Sequence, residues 1–234
     1  MAATTYSTAL IVGAGPGLGA SLARVFTRDG GLQVIVAARE LDKLEAIARE
    51  TGAGVMTCDA TDAASVAALF DAATQHFGAP PEVVVYNASQ RVRGAFVDVD
   101  PAAVVRAVSV TAHGAFLVAQ QAARRMLPKG HGAILFTGAS AGVKGYPQSA
   151  AFAMGKFALR GLAQSMAREL APQGIHVGHI VVDGSIRPAG ATGDDATDDR
   201  LDPDAIASTY LHLLAQPRNA WSWEIEVRPW VERF

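Results

Sequence analysis

Cysteine is nearly absent. Cys58 stands alone among 234 residues, so no intrachain disulfide can form and a reducing, cytoplasmic setting is expected. Concentrated positive charge is missing too. The 20 Lys and Arg residues are scattered and outnumbered by 22 Asp and Glu, which argues against nucleic-acid and anionic-membrane partners. No basic residue precedes Arg24, and the apolar stretch 9–12 is too short for the hydrophobic region of a signal peptide. No apolar run approaches the roughly 18 residues that would cross a bilayer. No metal site is expected. These absences together lead us to expect a cytoplasmic protein whose partner is a small molecule.

Half of the residues are hydrophobic, enough at this length for one sizeable core, and a single domain over residues 1–234 is the expectation. Short, β-branched apolar runs fall near 9–12, 32–37, 54–57, 82–86, 133–137, 175–181 and 224–228. Runs that are apolar on both faces suit buried parallel strands. Helical patterns separate them at 17–28, 41–50, 63–77, 101–126, 149–170 and 203–214. Two helix starts are well marked, because Asp100-Pro101 and Asp202-Pro203 each place a capping Asp before Pro at the first helical position. The alternation predicts an α/β doubly wound parallel sheet of the Rossmann type, with helices on both faces. Residues 183–202, rich in Gly, Asp, Thr and Ala, read as a solvated loop or as a lid over the end of a strand.

The glycines after the first strand carry the first functional signal. In Val12-Gly13-Ala14-Gly15-Pro16-Gly17-Leu18-Gly19 the pattern G-x-G-x-x-G fails at Leu18, whereas Gly13-x-x-x-Gly17-x-Gly19 fits. A strand, a glycine turn and a helix in that order let the backbone approach a pyrophosphate and offer it the helix N-terminus.

Several motifs in order, from Leu10 to about Val182, give the chain a resemblance to the short-chain dehydrogenase/reductase family. Gly13, Gly17 and Gly19 match its T-G-x-x-x-G-x-G turn, with Val12 where Thr is usual. Asp59, after Cys58, resembles the aspartate beside the adenine, and Asn87-Ala88-Ser89 resembles the N-A-G segment. The resemblance implies strand order 3-2-1-4-5-6-7. It also implies cofactor contacts from Gly13, Gly17, Leu18, Gly19, Asp59, Asn87 and Lys156, and a homodimer or homotetramer built on the two long helices. The helix opening Phe152-Ala-Met-Gly-Lys156 resembles the one carrying Y-x-x-x-K.

The catalytic set is where this chain departs from the family it resembles. Lys156 is kept, but Phe152 occupies the Tyr position, Ala139 the Ser position thirteen residues earlier, and Thr111 the Asn position. The enoyl-reducing arrangement, with Tyr seven residues before Lys, meets Ser149 instead. Phe cannot give a proton, so the family's usual mechanism does not transfer. Ser140, Tyr146 and His113 are the replacement candidates, with Lys156, Ser140 and Tyr146 the preferred catalytic set. Each also has a plain structural reading, as a turn cap, a turn aromatic and a helix-surface group.

Cofactor choice follows from charge. Ala38 stands where an acid would bind the ribose 2′-hydroxyl of NAD, and Arg39 follows, which favours the 2′-phosphate of NADP(H). Glu40 reads as the start of the next helix. Trp221, Trp223, Trp230 and Phe234 read as packing or interface residues. Two functions remain open: an NADP(H)-dependent oxidoreductase for a small carbonyl, alcohol or activated alkene, and a cofactor-binding sensor, scaffold or inactive subunit.

Overall fold

The fold is described from a computed structural model, in which residues 5–189 and 198–232 are described. Seven parallel strands form one sheet in the order 3-2-1-4-5-6-7: β1 (Thr8–Val12), β2 (Gln33–Ala38), β3 (Gly54–Thr57), β4 (Val83–Tyr86), β5 (Gly132–Thr137), β6 (Ile175–Val182) and β7 (Glu224–Val227). The strand order and the doubly wound class agree with expectation. β4, β5 and β6 are buried along their whole length, as suits largely apolar central strands, with Thr137, His176 and His179 the polar residues buried among them. β3 and β7 are only partly buried because they form the sheet's two edges.

Helices α1 (Leu18–Arg28), α2 (Asp42–Thr51), α3 (Ala63–Phe77), α4 (Pro101–Val108), α5 (Gly114–Met126), α6 (Ala150–Leu170) and α7 (Pro203–Leu214) cover both faces. One core cluster joins α1 and α7 to the sheet through Leu22, Phe26, Ile206, Tyr210 and Leu213. The other joins α3, α5 and α6 through Phe70, Val118, Met126, Leu159 and Ala163. Both marked helix starts hold. Asp100 accepts from the backbone N–H groups of Ala102 and Ala103, and Asp202 from those of Asp204 and Ala205.

Two expectations change. The predicted 101–126 helix is interrupted by a π-helical turn, Ser109–His113. The widened turn frees the Val110 carbonyl, which accepts the Tyr86 hydroxyl, and Gly114 lets that phenol in, since a Cβ there would sit 2.5 Å from the oxygen. The expectation that no apolar run approaches membrane-spanning length also needs correction. The continuous helical segment Pro101–Lys129 is long and apolar enough by length and composition. Its α5 part spends that apolarity on the sheet, burying Ala115, Val118, Ala119, Ala122 and Met126.

Within 183–202, the ends of the segment meet: Ile186 bridges Leu201, and Arg187 N–H donates to the Leu201 carbonyl at 2.9 Å. Residues 190–197 of that predicted loop, and Phe234, lie outside the described residues.

Candidate active site

The glycine turn after β1 does two separate jobs. Gly13 has φ +85°, and a Cβ there would meet the Ala88 backbone nitrogen at 2.3 Å. A Cβ on Gly19 would meet the Ala14 Cα at 2.7 Å. These two glycines let β1, α1 and the β4 loop close on one another. Gly15 and Gly17, by contrast, face open space, and no side chain caps the amino end of α1. That leaves an uncapped helix N-terminus at an open glycine turn, the chemistry and the room that a pyrophosphate needs.

Three adjoining cavities run along the carboxyl edge of the sheet, where an open α/β sheet binds its ligands. The first, about 260 Å³, is lined by Gly13, Arg39, Lys43, Asp59 and Asn87 among others. Asp59 accepts from the backbone and hydroxyl of Thr61, which hold its carboxyl below the usual carboxylate range. Glu40 pairs with Lys43, with Nζ 2.7 Å from the carboxylate, and Arg39, which lines the cleft, adds its positive charge to the field that lowers the Glu40 and Asp59 pKa values.

The second cavity, about 500 Å³, holds Leu18, Asn87, Ala139, Phe152 and Lys156 in its lining. Asn87 stitches the sheet centre there. Its Nδ2 donates to the Gly13 carbonyl at 3.0 Å, and its Oδ1 accepts from Thr137 Oγ1 at 2.9 Å. The Thr137 hydroxyl, having given its proton to Asn87, accepts from the fully buried Tyr210 hydroxyl at 2.7 Å. Lys156 Nζ donates to the Thr137 carbonyl at 2.7 Å. Burial first, and the charge of Arg91 second, push its pKa down to about 7.

The third cavity, about 440 Å³, brings together Ser140, Tyr146, Phe152 and Arg91. Phe152 is 7% exposed, with two basic groups near its ring: Lys156 Nζ lies 5.7 Å and Arg91 Cζ 4.4 Å from its centroid. Ser140 opens a single 3₁₀ turn, and Tyr146 sits half-exposed on the loop beyond it. Thr111 is fully buried, and its hydroxyl accepts the Gln90 N–H at 3.2 Å, tying the π turn to the β4 loop. His113 is exposed on the helix and lines none of the three cavities. Among the described residues no His, Cys, Asp and Glu group has the arrangement of a metal site.

Two features carry no signal in the sequence reading. Arg91 is one. The other lies behind α6, where Glu224 of β7 receives both Arg160 nitrogens at 2.7 Å and His179 Nδ1 at 3.0 Å. Burial dominates His179, taking its pKa down to about 4, so the ring is neutral. Burial works to raise the Glu224 pKa, but the Arg160 and His179 hydrogen bonds outweigh it and keep the carboxylate ionised. Trp221 stacks on His176 at 4.6 Å and Trp223 packs on the core, whereas Trp230 is exposed.

Sheet order, glycine turn and buried Lys156 define a dinucleotide-binding oxidoreductase fold of the short-chain type. The family model for short chain dehydrogenases matches residues 7–191, and the chain belongs to that family, a class of NAD(P)-dependent oxidoreductases. It is similar to an uncharacterised oxidoreductase of Staphylococcus aureus strain N315, 29% identical over 98% of this chain and 100% of the relative. It is 28% identical to short chain aldehyde dehydrogenase 1 of Euphorbia lathyris, over 90% of this chain and 74% of that one. Among solved structures, a short-chain dehydrogenase from Rhodopseudomonas palustris aligns with TM-score 0.80 and 33% identity, over 95% of this chain and 99% of that one. A metagenomic short-chain oxidoreductase in complex with NADP aligns with TM-score 0.82 and 27% identity, over 95% and 97% of the two chains.

Proposed function

We propose that this protein is an NADP(H)-dependent oxidoreductase for a small carbonyl, alcohol or activated alkene, working without the family's tyrosine. The carrying observation is the run of adjoining cavities from Arg39 to Tyr146, with Lys156 buried beneath its middle. The nicotinamide, when bound, supplies or accepts a hydride. The open glycine turn at Gly15 and Gly17, with the N–H groups of Leu18 and Gly19, holds the pyrophosphate. Arg39 takes a 2′-phosphate, a reading supported by the NADP complex among the similar structures. Asp59 borders the adenine, Asn87 fixes the floor, and Lys156 holds the nicotinamide ribose. Ser140 and Tyr146 are the hydroxyls placed to exchange the substrate oxygen's proton.

The rival reading, a cofactor-binding protein without turnover, draws on Phe152. A buried ring that cannot donate a proton occupies the donor position. One experiment separates the two. NADPH binding is titrated, and oxidation of NADPH is followed spectrophotometrically against a panel of carbonyl and enoyl compounds. Turnover is expected; tight binding with no turnover on any substrate selects the rival. The double variant Phe152→Tyr with Ala139→Ser restores the family pair beside Lys156. It should raise reduction of small reactive aldehydes or diketones by about 10²–10⁴-fold, the usual worth of a placed acid. A folded, NADPH-binding double variant with no gain would refute the claim that the site lacks only its donor.

We also propose a homodimer or homotetramer in a cytoplasmic setting. Val105 on α4, Phe116 on α5, and Met154 and Phe157 on α6 stand exposed on helices bearing small residues. Sedimentation of the intact protein tests this, and a monomer at micromolar concentration would refute it.

A further inference from the structure

Arg91 stands on the loop after β4, with its guanidinium over the Phe152 ring. It lines both the cavity that contains Lys156 and the one that contains Ser140 and Tyr146. Its position is electrostatically odd. The charged groups acting on it are Arg93 and Lys156, both positive, and it forms no ion pair among the described residues. Partial burial and Arg93 both work against its charge. The cleft's own acids do not relieve it. Asp183 is enclosed, with Lys144 and Arg228 each 3.8 Å away, and Glu232 lines the same cavity without an ion pair to Arg91. A planar fork of donors, stacked on an aromatic ring and lacking a carboxylate, matches the way Arg recognises planar anions.

We propose that Arg91, backed by Arg93, is an anion-binding subsite of the reaction cleft, and that the substrate is a short oxo acid or the matching hydroxy acid. This rests on the oxidoreductase reading above. Arg91 Cζ lies 4.4 Å from the centroid of the Phe152 ring, and both residues line the same two cavities, so a carboxylate held by Arg91 belongs to a substrate short enough to share that space. In the reductive direction bound NADPH would supply the hydride to the carbonyl carbon and leave as NADP+. The oxygen takes a proton from the Ser140 and Tyr146 hydroxyls, replenished from water, and the product is the hydroxy acid.

The test uses the intact protein. Oxamate, a non-reducible mimic of a 2-oxo acid, is titrated calorimetrically into the protein with and without NADPH. Separately, kcat/KM is compared for 2-oxobutanoate and its methyl ester. Oxamate should bind, and Arg91→Gln should weaken it by about 10- to 100-fold, the range of a charge-assisted Arg–carboxylate contact. The same variant should lower the acid-to-ester ratio by a similar factor, mostly through KM, and Arg91→Lys should restore part of it. Neutral ketones reduced without any preference for the acid, or oxamate affinity unchanged in Arg91→Gln, would overturn the subsite while leaving the oxidoreductase reading in place. Oxamate binding that depends on Arg91, with no turnover of any carbonyl, would uphold the subsite and overturn that reading. Equal loss on acid and ester would place Arg91 on the reacting oxygen and overturn the assignment to a carboxylate.

Discussion

Lys156 should make the unliganded protein less stable than it would be with an apolar side chain there. The residue is 3% exposed, and burial, then Arg91, takes its pKa from 10.5 to about 7. The direction of linkage follows. Between those two values the unfolded chain binds a proton that the folded one has released, so stability rises with pH across that window. Below pH 7 both states are protonated and the folded state carries the full penalty. From a folded value of about 7 against 10.5, the penalty at pH 7 is about 4 kcal/mol, and it shrinks by about 1.4 kcal/mol per pH unit above that. Lys156→Met removes it but leaves the Thr137 carbonyl without its donor, which costs about 1–3 kcal/mol. The variant should therefore be more stable than the parent at pH 7, and the two should converge by pH 9. Urea unfolding of both apoproteins at half-unit pH steps measures this, because the difference between the curves cancels every other titrating group. Parallel curves would refute the buried-ammonium account. NADPH affinity measured on the same samples should fall in the variant, and unchanged affinity would mean that Lys156 does not reach the ribose.

Other outcomes follow from the same geometry. NADPH should bind more tightly than NADH by about 1.5–3 kcal/mol, Arg39→Ala should erase the difference, and adding Ala38→Asp should reverse it; equal affinities in the parent would end the assignment. Gly13→Ala should destabilise by several kcal/mol or prevent folding, because φ is +85° and a Cβ would lie 2.3 Å from backbone; thermal unfolding close to the parent's would contradict this. Tyr210→Phe should cost about 0.5–1.5 kcal/mol by removing the donor to Thr137, read by chemical denaturation.

Much of the architecture is legible in the sequence. Parallel strands covered on both faces read as unbroken apolar runs, and Asp100-Pro101 and Asp202-Pro203 announce their helices through the chemistry of the first turn. Four residues make about one helical turn, so the sequence puts Lys156 and Phe152 on one helix face, and Lys156 Nζ lies 5.7 Å from the Phe152 ring centroid. Arg91 was not legible. It belongs to an irregular segment, and its meaning arises only when that segment folds over Phe152; the one available signal was an Arg-x-Arg pair just past a central strand's carboxyl end. The π turn is not legible for a related reason: residues 101–126 keep a helical pattern throughout, while the widened turn lies in the backbone at Ser109–His113, where the Val110 carbonyl accepts the Tyr86 hydroxyl. His179 and Glu224 are 45 residues apart and meet through strand register, which no local pattern encodes.

The Glu224 clamp bears on how the chain can be cut. The stretch matched by the family ends at residue 191, before α7 and β7. A chain shortened there would keep every glycine of the nucleotide turn and the whole Lys156 helix, yet it would strand three groups at once. Arg160 would lose its carboxylate, His179 its hydrogen bond, and Thr137 the Tyr210 hydroxyl. Each is a polar group left in a buried or half-buried place, on the elements that carry the reaction cleft. α7 and β7 therefore act as the rear wall of the candidate active site, and a boundary drawn by likeness alone would remove them.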